Sequence, residues 1–445
     1  MPETRLLLAD IDVPDIEHID AYIRCGGYAA AGEALAGVTP DQVVEKIAAA
    51  GLCDRGGRWH PVAERWRQVP KDGILCVEAN ESEPGTFRDR KLIERHPHQL
   101  LEGVLIAAFA LGAHQAYVYI RCEMARGRQL LQEAVDQAHA HGWLGSDIHG
   151  SGFGLEVIIH TGAGAYIAGE ETALLNSLAG KRAEPQPQPP FTWERGLWGR
   201  PALVENAATL AYLPHVLRRG PTGFRAMGTD RYPGTMVFCV SGHVLRPGLY
   251  ELELGAATLR ELIYDYAGGP REGHELKAVI PGGGGAPVLR PEELDVRLSP
   301  EDWAVPGGGA FAGSFGTGGV IVMDETTCMV EAALNLLDFY ADQSCGQCPP
   351  CRTGAPWLRD VVRRIEAGDG REGDLELVQS VAGQISPLLA PQRATLCSFG
   401  PTFAWSLQGF VRAFGDEFER HILEGGCPIA KDHSIKEPET VSVRF

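Results

Sequence analysis

Three cysteines stand in the run SCGQCPPCRTG, Cys345, Cys348 and Cys351, and a fourth, Cys397, stands in a separate segment, ATLCSFG. In a C-x2-C-x2-C run, a loop bent by glycine and proline turns three thiolates inward, and a distant fourth thiolate closes the site. That is the ligand set of a [4Fe–4S] cluster. Zinc is the competing metal, but zinc sites pair two CxxC or CxxC/HxxxH halves, and here the split is three plus one with no second CxxC. Buried structural cysteines are a poorer account, because Gly346, Pro349 and Pro350 make this a loop and not a packed face. A second chemistry is offered by glycine-rich stretches. TGAGAYIAGEE (161–171) holds Gly162, Gly164 and Gly169 ahead of an expected helix, whose unpaired N–H groups can meet an anion. It is not a strict G-x-G-x-x-G, so a ligand-free strand–helix turn stays open. GLCDRGGRWHPVAERW (51–66) joins Gly56 and Gly57, yet Arg58, Trp59 and His60 follow at once.

These residues need a frame. ILCVEA (74–79), AYVYIRC (116–122) and LEVIIH (155–160) have the apolar character of buried strands, and helical patterns cover 98–113, 128–142 and 170–180. Strands alternating with helices imply a parallel sheet covered on both faces, with ligands at the carboxyl ends of its strands. EANESEPGT (78–86) and TGAGAYIAGEE both fall at such ends. Upstream, residues 14–50 have helical patterns, with Thr39 as an N-cap, Pro40 in the first turn and Gly51 at the stop. Residues 234–269 follow as strand, turn, strand and helix, a small α+β module. Glycines make 281–318 mostly loop, 325–424 is helical again, and the last residues form a polar tail. The expected units are an N-terminal helical segment (1–50), a nucleotide domain (51–230), the small module (231–324), a helical cluster domain (325–427) and an extended tail (428–445).

With 445 residues the chain can form several packed units around a large core. Its net charge of −18 argues against a nucleic-acid binder. The start lacks a signal peptide's apolar region, and GVLIAAFALGA (103–113) is too short to span a bilayer, so the expectation is a cytoplasmic protein reaching a membrane only through partners. In such a chain clustered cysteines point to metal and not to disulfides.

SCGQCPPCRTG followed by TLCSFG resembles the cluster-binding segment of the NADH-binding flavoprotein subunit of respiratory complex I, a family shared with subunits of NAD-dependent formate dehydrogenases and NAD-reducing hydrogenases. GAGAYIAGEETALLNSLAGKR, ESEPGTFRDR, GLWGRPALVENAATLA and SGHVLRPGLYE carry the same resemblance, which covers roughly residues 25–425. It implies an α/β fold: a Rossmann-like FMN/NADH domain, a β-grasp-like (SLBB-type) module and a C-terminal helical bundle with one [4Fe–4S] cluster. It further implies an NAD(H)-dependent oxidoreductase subunit that passes electrons from NADH through FMN to the cluster. Its partners would be a thioredoxin-like [2Fe–2S] subunit and a larger iron–sulfur subunit.

Carried over residue by residue, the resemblance places Gly169, Glu170 and Glu171 at the flavin and nicotinamide region, and Glu81 near the dinucleotide ribose, with Asn80 and Ser82 beside it. Glu81, Glu170 and Glu171 are the candidate catalytic carboxylates. Arg55, Gly56, Gly57 and Arg65 match the flavin-cradling loop, and Phe191, Asn206 and Thr209 match positions around the nucleotide. Local accounts stand beside these: carboxylates are favoured in a first helical turn, and charges at a strand end are often only solvated. The chain also departs from the family. Where Asn-Ala-Asp-Glu-Ser-Glu is usual it has Glu78-Ala79-Asn80-Glu81-Ser82-Glu83; in the loop, two glycines have become Asp54 and Trp59, an alanine Arg58, and the stacking aromatic His60. Two outcomes are open: FMN and NAD(H) held in an altered site, or a flavin-less electron relay or scaffold with Trp59 and Arg58 in the flavin's place. A zinc-stabilised structural subunit is a third. Elsewhere, His96 and His98 flank a helix start at Pro97, His243 belongs to the small module, Cys328 to a helix core, and Arg352 is placed to offset cluster charge or to form a surface ion pair.

Overall fold

The computed structural model describes residues 3–303, 315–388 and 393–429, so most of the tail and the middle of the glycine-rich stretch lie outside the described residues. The N-terminal region ends in α1 (Pro40–Ala50), closed by a Thr39/Gln42 capping box and by Gly51 at φ +70°. Four parallel strands follow, β1 (Ile74–Ala79), β2 (Gln115–Arg121), β3 (Glu156–Gly162) and β4 (Ala202–Asn206), in the order β3-β2-β1-β4. The connecting helices are α2 (Arg88–Arg95), α3 (Pro97–Leu111), α4 (Ala125–Ala140) and α5 (Glu171–Leu178), and α6 (Ala207–Ala211) follows β4. Helix α3 is apolar on nearly every side and almost wholly buried, as such a pattern requires. Gly103 lets it meet α6, since a Cβ there would sit 2.1 Å from the Leu210 carbonyl oxygen. Pro97 opens this helix, and the buried His98 ring bonds the Tyr28 hydroxyl at 3.0 Å.

A second sheet, in the order β6-β5-β8-β7, contains β5 (Thr235–Gly242), β6 (Gly248–Glu253), β7 (Leu276–Ile280) and β8 (Gly319–Asp324). Only the β5–β8 pair is parallel. The sequence pattern has no strand at β4, β7 or β8, which are short and flanked by loop. The C-terminal helices are α7 (Met329–Gln343), α8 (Pro349–Glu366), α9 (Asp374–Ile385) and α10 (Phe399–Glu424), and they enclose their own apolar core. Among the described residues no helix is long and apolar enough to cross a membrane.

The N-terminal segment is fastened to the second sheet by one buried carboxylate. Glu251 accepts from the Leu6, Leu7 and Leu8 amides at 2.8, 3.1 and 2.9 Å and from the Thr235 hydroxyl at 2.5 Å. Replacing it by alanine would leave buried donors unpaired, each a cost of about 1–3 kcal/mol. We expect Glu251→Ala to lower stability by at least about 4 kcal/mol in total and to make the first residues the earliest site of limited proteolysis; both are read by thermal melting and peptide mapping.

Candidate functional site

A cavity of about 510 Å³ opens at the carboxyl ends of the parallel strands, where α/β sheets hold ligands. Gly56, Gly57 and Arg58 form one wall; Glu78, Asn80, Glu81, Ser82 and Glu83, from the end of β1, form the next; Gly169 and Glu170 lead into α5; Asn206 caps α6. The second sheet's loops contribute Gly282, Gly285, Gly316 and Thr317, and the helical domain contributes Cys397, Phe399, Thr402 and Trp405. Sequence pattern alone does not bring these last two groups here. The glycine run at 282–285 carries the one available signal, close backbone approach: a Cβ on Gly283 would sit 2.5 Å from the Glu83 side chain.

Trp59 does not stand in this cavity. It adopts φ +59°, and its side chain turns into the core of the second sheet's module, where it is 3% exposed. There it packs edge-on against Tyr232 and Phe315, and its Nε1 donates to the Gly316 carbonyl at 3.2 Å. The loop closes at its base, with the Asp54 amide donating to the His60 carbonyl at 2.8 Å. Asp54 replaces a glycine by holding the loop from inside: it accepts from the Arg58 amide at 2.9 Å and the Thr209 hydroxyl at 3.2 Å. Burial opposes its charge, but the His60 ring and two backbone amides outweigh that and hold its carboxyl below the ordinary value. Burial drives the His60 imidazole down to about 4, so it is neutral at pH 7.

Several residues expected to contact cofactor lie behind the wall instead. Arg55 is fully buried and donates to the carbonyls of Cys53, Pro233 and Thr235 at 2.9, 2.7 and 3.1 Å. Thr209 supports the loop by accepting from the Arg55 amide at 2.8 Å. Glu171 is no cavity-wall carboxylate: Arg65, Arg58 and Gln188 bind it at 2.5, 3.2 and 2.8 Å. Burial would raise its carboxyl, but the two guanidiniums hold it at about 2. It positions Arg58 and Arg65, and Arg65 is thereby turned to Glu171 and not to the wall. Phe191 stacks on Trp193 with ring centres 4.5 Å apart, also outside the wall. Gly162 and Gly164 face Tyr119 and Glu123, and only Gly169 of that motif has open space beside it.

The wall itself is acidic. Glu78 accepts from Asn206 at 3.0 Å and from the Asn80 amide at 2.8 Å, and burial, then nearby Asp89, raises its carboxyl to about 7. Glu81 caps α2 by accepting from the Asp89 and Arg90 amides, both at 2.9 Å; burial and Asp89 push it up. Glu170 caps α5, accepting from the Ala173 amide at 2.9 Å and the Thr172 hydroxyl at 2.6 Å. Glu83 ties the three units together, accepting from Tyr166 at 2.5 Å, Gly285 at 2.8 Å and Tyr340 at 3.2 Å.

The four motif cysteines gather beside this cavity. Cys348 is the N-cap of α8, Cys351 lies in its first turn, and Cys397 lines the cavity. Gly346 turns the run at φ +76°, and Ser344 bonds the Cys351 sulfur at 3.1 Å. Burial, then the neighbouring thiols, raises Cys351 to about 12, and burial raises Cys397 to about 11. A metal centre must therefore displace their protons. No three of these sulfurs lie within 4.8 Å of one another. Four thiolates on a single zinc would be about 3.8 Å apart, given Zn–S bonds of about 2.3 Å, so the wider spacing fits a polynuclear cluster. Arg352 donates to the Gly346 carbonyl at 3.2 Å, which braces the ligand loop.

Residues 47–215 match the family described as Nuo51 FMN-binding domain, 236–310 the SLBB domain, and 331–421 the NADH-ubiquinone oxidoreductase-F iron-sulfur binding region. An NADH-quinone oxidoreductase F subunit of Rhizobium meliloti (strain 1021) is 45% identical over 427 residues, 95% of this chain and 99% of that protein. The chain belongs to the family of NADH-quinone oxidoreductase F subunits. Another member, from Escherichia coli (strain K12), is 40% identical, covering 96% of this chain and 94% of that protein. A chain from the crystal structure of an NAD+-reducing [NiFe]-hydrogenase in the H2-reduced state superposes with a TM-score of 0.79 at 30% identity, over 94% of this chain and 67% of that one.

The residues present fit the family's flavin. The cavity is of cofactor size, Gly169 leaves space along it, and Asn80 donates to the Ala165 carbonyl at 2.9 Å while its buried Oδ1, on the wall, has no partner. The flavin-less alternative put Trp59 and Arg58 in this space; Trp59 is elsewhere, and Arg58 stays on the wall, paired with Glu171. We expect Trp59→Phe to retain one FMN per chain while losing about 1–2 kcal/mol of stability; flavin release and thermal melting check both. Glu78 is neutral below about pH 7 and charged above it, and a nearby negative charge opposes added electrons. The flavin midpoint potential of Glu78→Gln should exceed the unsubstituted protein's at about pH 8 and converge with it at about pH 6, as read by redox titration.

Proposed function

We propose that this chain is the electron-input subunit of a multi-subunit oxidoreductase, taking electrons from NADH and delivering them to a [4Fe–4S] cluster on Cys345, Cys348, Cys351 and Cys397. One observation carries this: a single cavity is lined by the Gly56–Gly57 loop, by Glu170 and by Cys397 together. FMN, when bound, supplies the conversion between two-electron and one-electron transfer. The chain's own residues do the rest. Asn80 offers a buried acceptor, Gly56, Gly57 and Gly169 admit flat groups to the backbone, and the Arg58–Glu171–Arg65 triad fixes one wall. Glu81 and Glu170 put carboxyl oxygens on the wall, suited to ribose hydroxyls, and the acidic wall as a whole disfavours a 2′-phosphate, which favours NAD(H) over NADP(H). Glu171 acts as a positioning residue. The β-grasp-like module closes the cavity's side and the helical domain supplies the exit for electrons. Partners in this reading are a thioredoxin-like [2Fe–2S] subunit and a larger iron–sulfur subunit in the cytoplasm. Trp357, on the helix that carries Cys348 and Cys351, is 61% exposed and suits such a contact.

In the purified chain we expect flavin absorbance that bleaches with NADH, and iron at about four per chain. Cys348→Ser should lose the iron and electron delivery beyond the flavin, yet keep NADH bleaching. A chain with full iron and no flavin would sink this function and leave an electron relay.

A further inference from the structure

A second group of metal-ligating side chains lies among the C-terminal helices, apart from the four motif cysteines. Cys328 is the N-cap of α7, Glu366 ends α8, His421 lies in the last turn of α10 and Cys427 just beyond it. One ligand atom from each lies within 4.8 Å of all the others. The Cys328 sulfur is 3.3 Å from His421 Nε2 and 3.4 Å from Glu366 Oε2, and those two atoms are 3.2 Å apart. A tetrahedral ion with bonds of about 2.0 Å to nitrogen and oxygen and about 2.3 Å to sulfur has edges of about 3.3–3.8 Å, so this group already has the size of a single-ion site. It contrasts with the wider set that suits the iron–sulfur cluster.

The surroundings prepare the imidazole as a ligand. His421 is fully buried, and its Nδ1 faces the Glu417 carbonyl at 2.7 Å, which leaves Nε2 turned to the group. Metal-bound histidines use this outer hydrogen bond to fix ring and tautomer. Glu417 is itself held by the Met329 amide and Lys277, both at 2.7 Å. A His421–Glu366 ion pair would account for two members, but not for two sulfurs converging on the same point. Two thiolates, one imidazole and one carboxylate select zinc over magnesium or calcium, and four protein ligands leave no open position for catalysis.

We propose that Cys328, Glu366, His421 and Cys427 bind one structural zinc ion that pins the end of α10 to α7 and α8. On binding, both thiols, and the imidazole where it is protonated, release their protons to solvent. The test is metal analysis of the purified full chain, with X-ray absorption at the zinc edge. One zinc per chain is expected, with two sulfur and two nitrogen or oxygen neighbours, beside the iron. His421→Gln and Cys427→Ser should each lower zinc at least tenfold while iron and flavin stay, and Cys348→Ser should lower iron while zinc stays. Absence of zinc from the unsubstituted chain grown with zinc, zinc unchanged in both variants, or a Cys328–Cys427 disulfide in the isolated protein would overturn the assignment. The absorption measurement needs no substitution, so a variant that fails to fold leaves the assignment open to refutation.

Discussion

The guanidinium of Arg55 fixes the loop on which the cavity depends. It is wholly buried, gives its donors to three backbone carbonyls and lies over the rings of Trp59 and Tyr212 at 5.2 and 5.4 Å. Two of those carbonyls, of Pro233 and Thr235, belong to the chain entering the second sheet, so the arginine bonds the nucleotide-side loop to the neighbouring module. A buried cation has few ways to keep its donors satisfied. The loop is therefore held with Trp59 turned toward the module and its backbone toward the cavity. Bulk that would block a flat ligand becomes packing between units.

The same constraint on buried charge governs the wall. Glu171 has two arginines and stays ionised, whereas Glu78 and Glu81, which have amides and a nearby acid, are pushed toward the neutral form. A pair of arginines replaces solvent around one carboxylate; a ring of dipoles only partly does so for the others. Glu83 shows how such a group can join units: its partners come from the loop before α5, the glycine run and α7. The cavity is thus an interface of three units, and its shape follows from their docking.

Much of the frame is legible in the chain. The strands at 74–79, 115–121 and 156–162 and their helices carry long apolar patterns, and the capping of α1 by Thr39 follows local chemistry. The strands at 202–206, 276–280 and 319–324 are not legible, because five or six mostly buried residues between loops give no period to count. Their pairing partners lie far away in sequence, and long-range pairing decides them.

The sequence by itself marked out the four proposed cluster ligands, since a turn-forming run with three thiols and one distant cysteine favours an iron–sulfur cluster over zinc. It also determined the sheet's ligand edge, where Asn80, Glu81 and Glu170 stand. Tertiary structure decided which way side chains point. Arg55 and Arg65 have the charge to bind a phosphate, yet burial and carbonyl or carboxylate partners turn them inward; Trp59 has the bulk to close a cavity, yet Tyr232 and Phe315 offer it a core. Residue type sets what a group can do. Direction depends on competing partners brought together from remote segments, and only the packed chain assembles that competition.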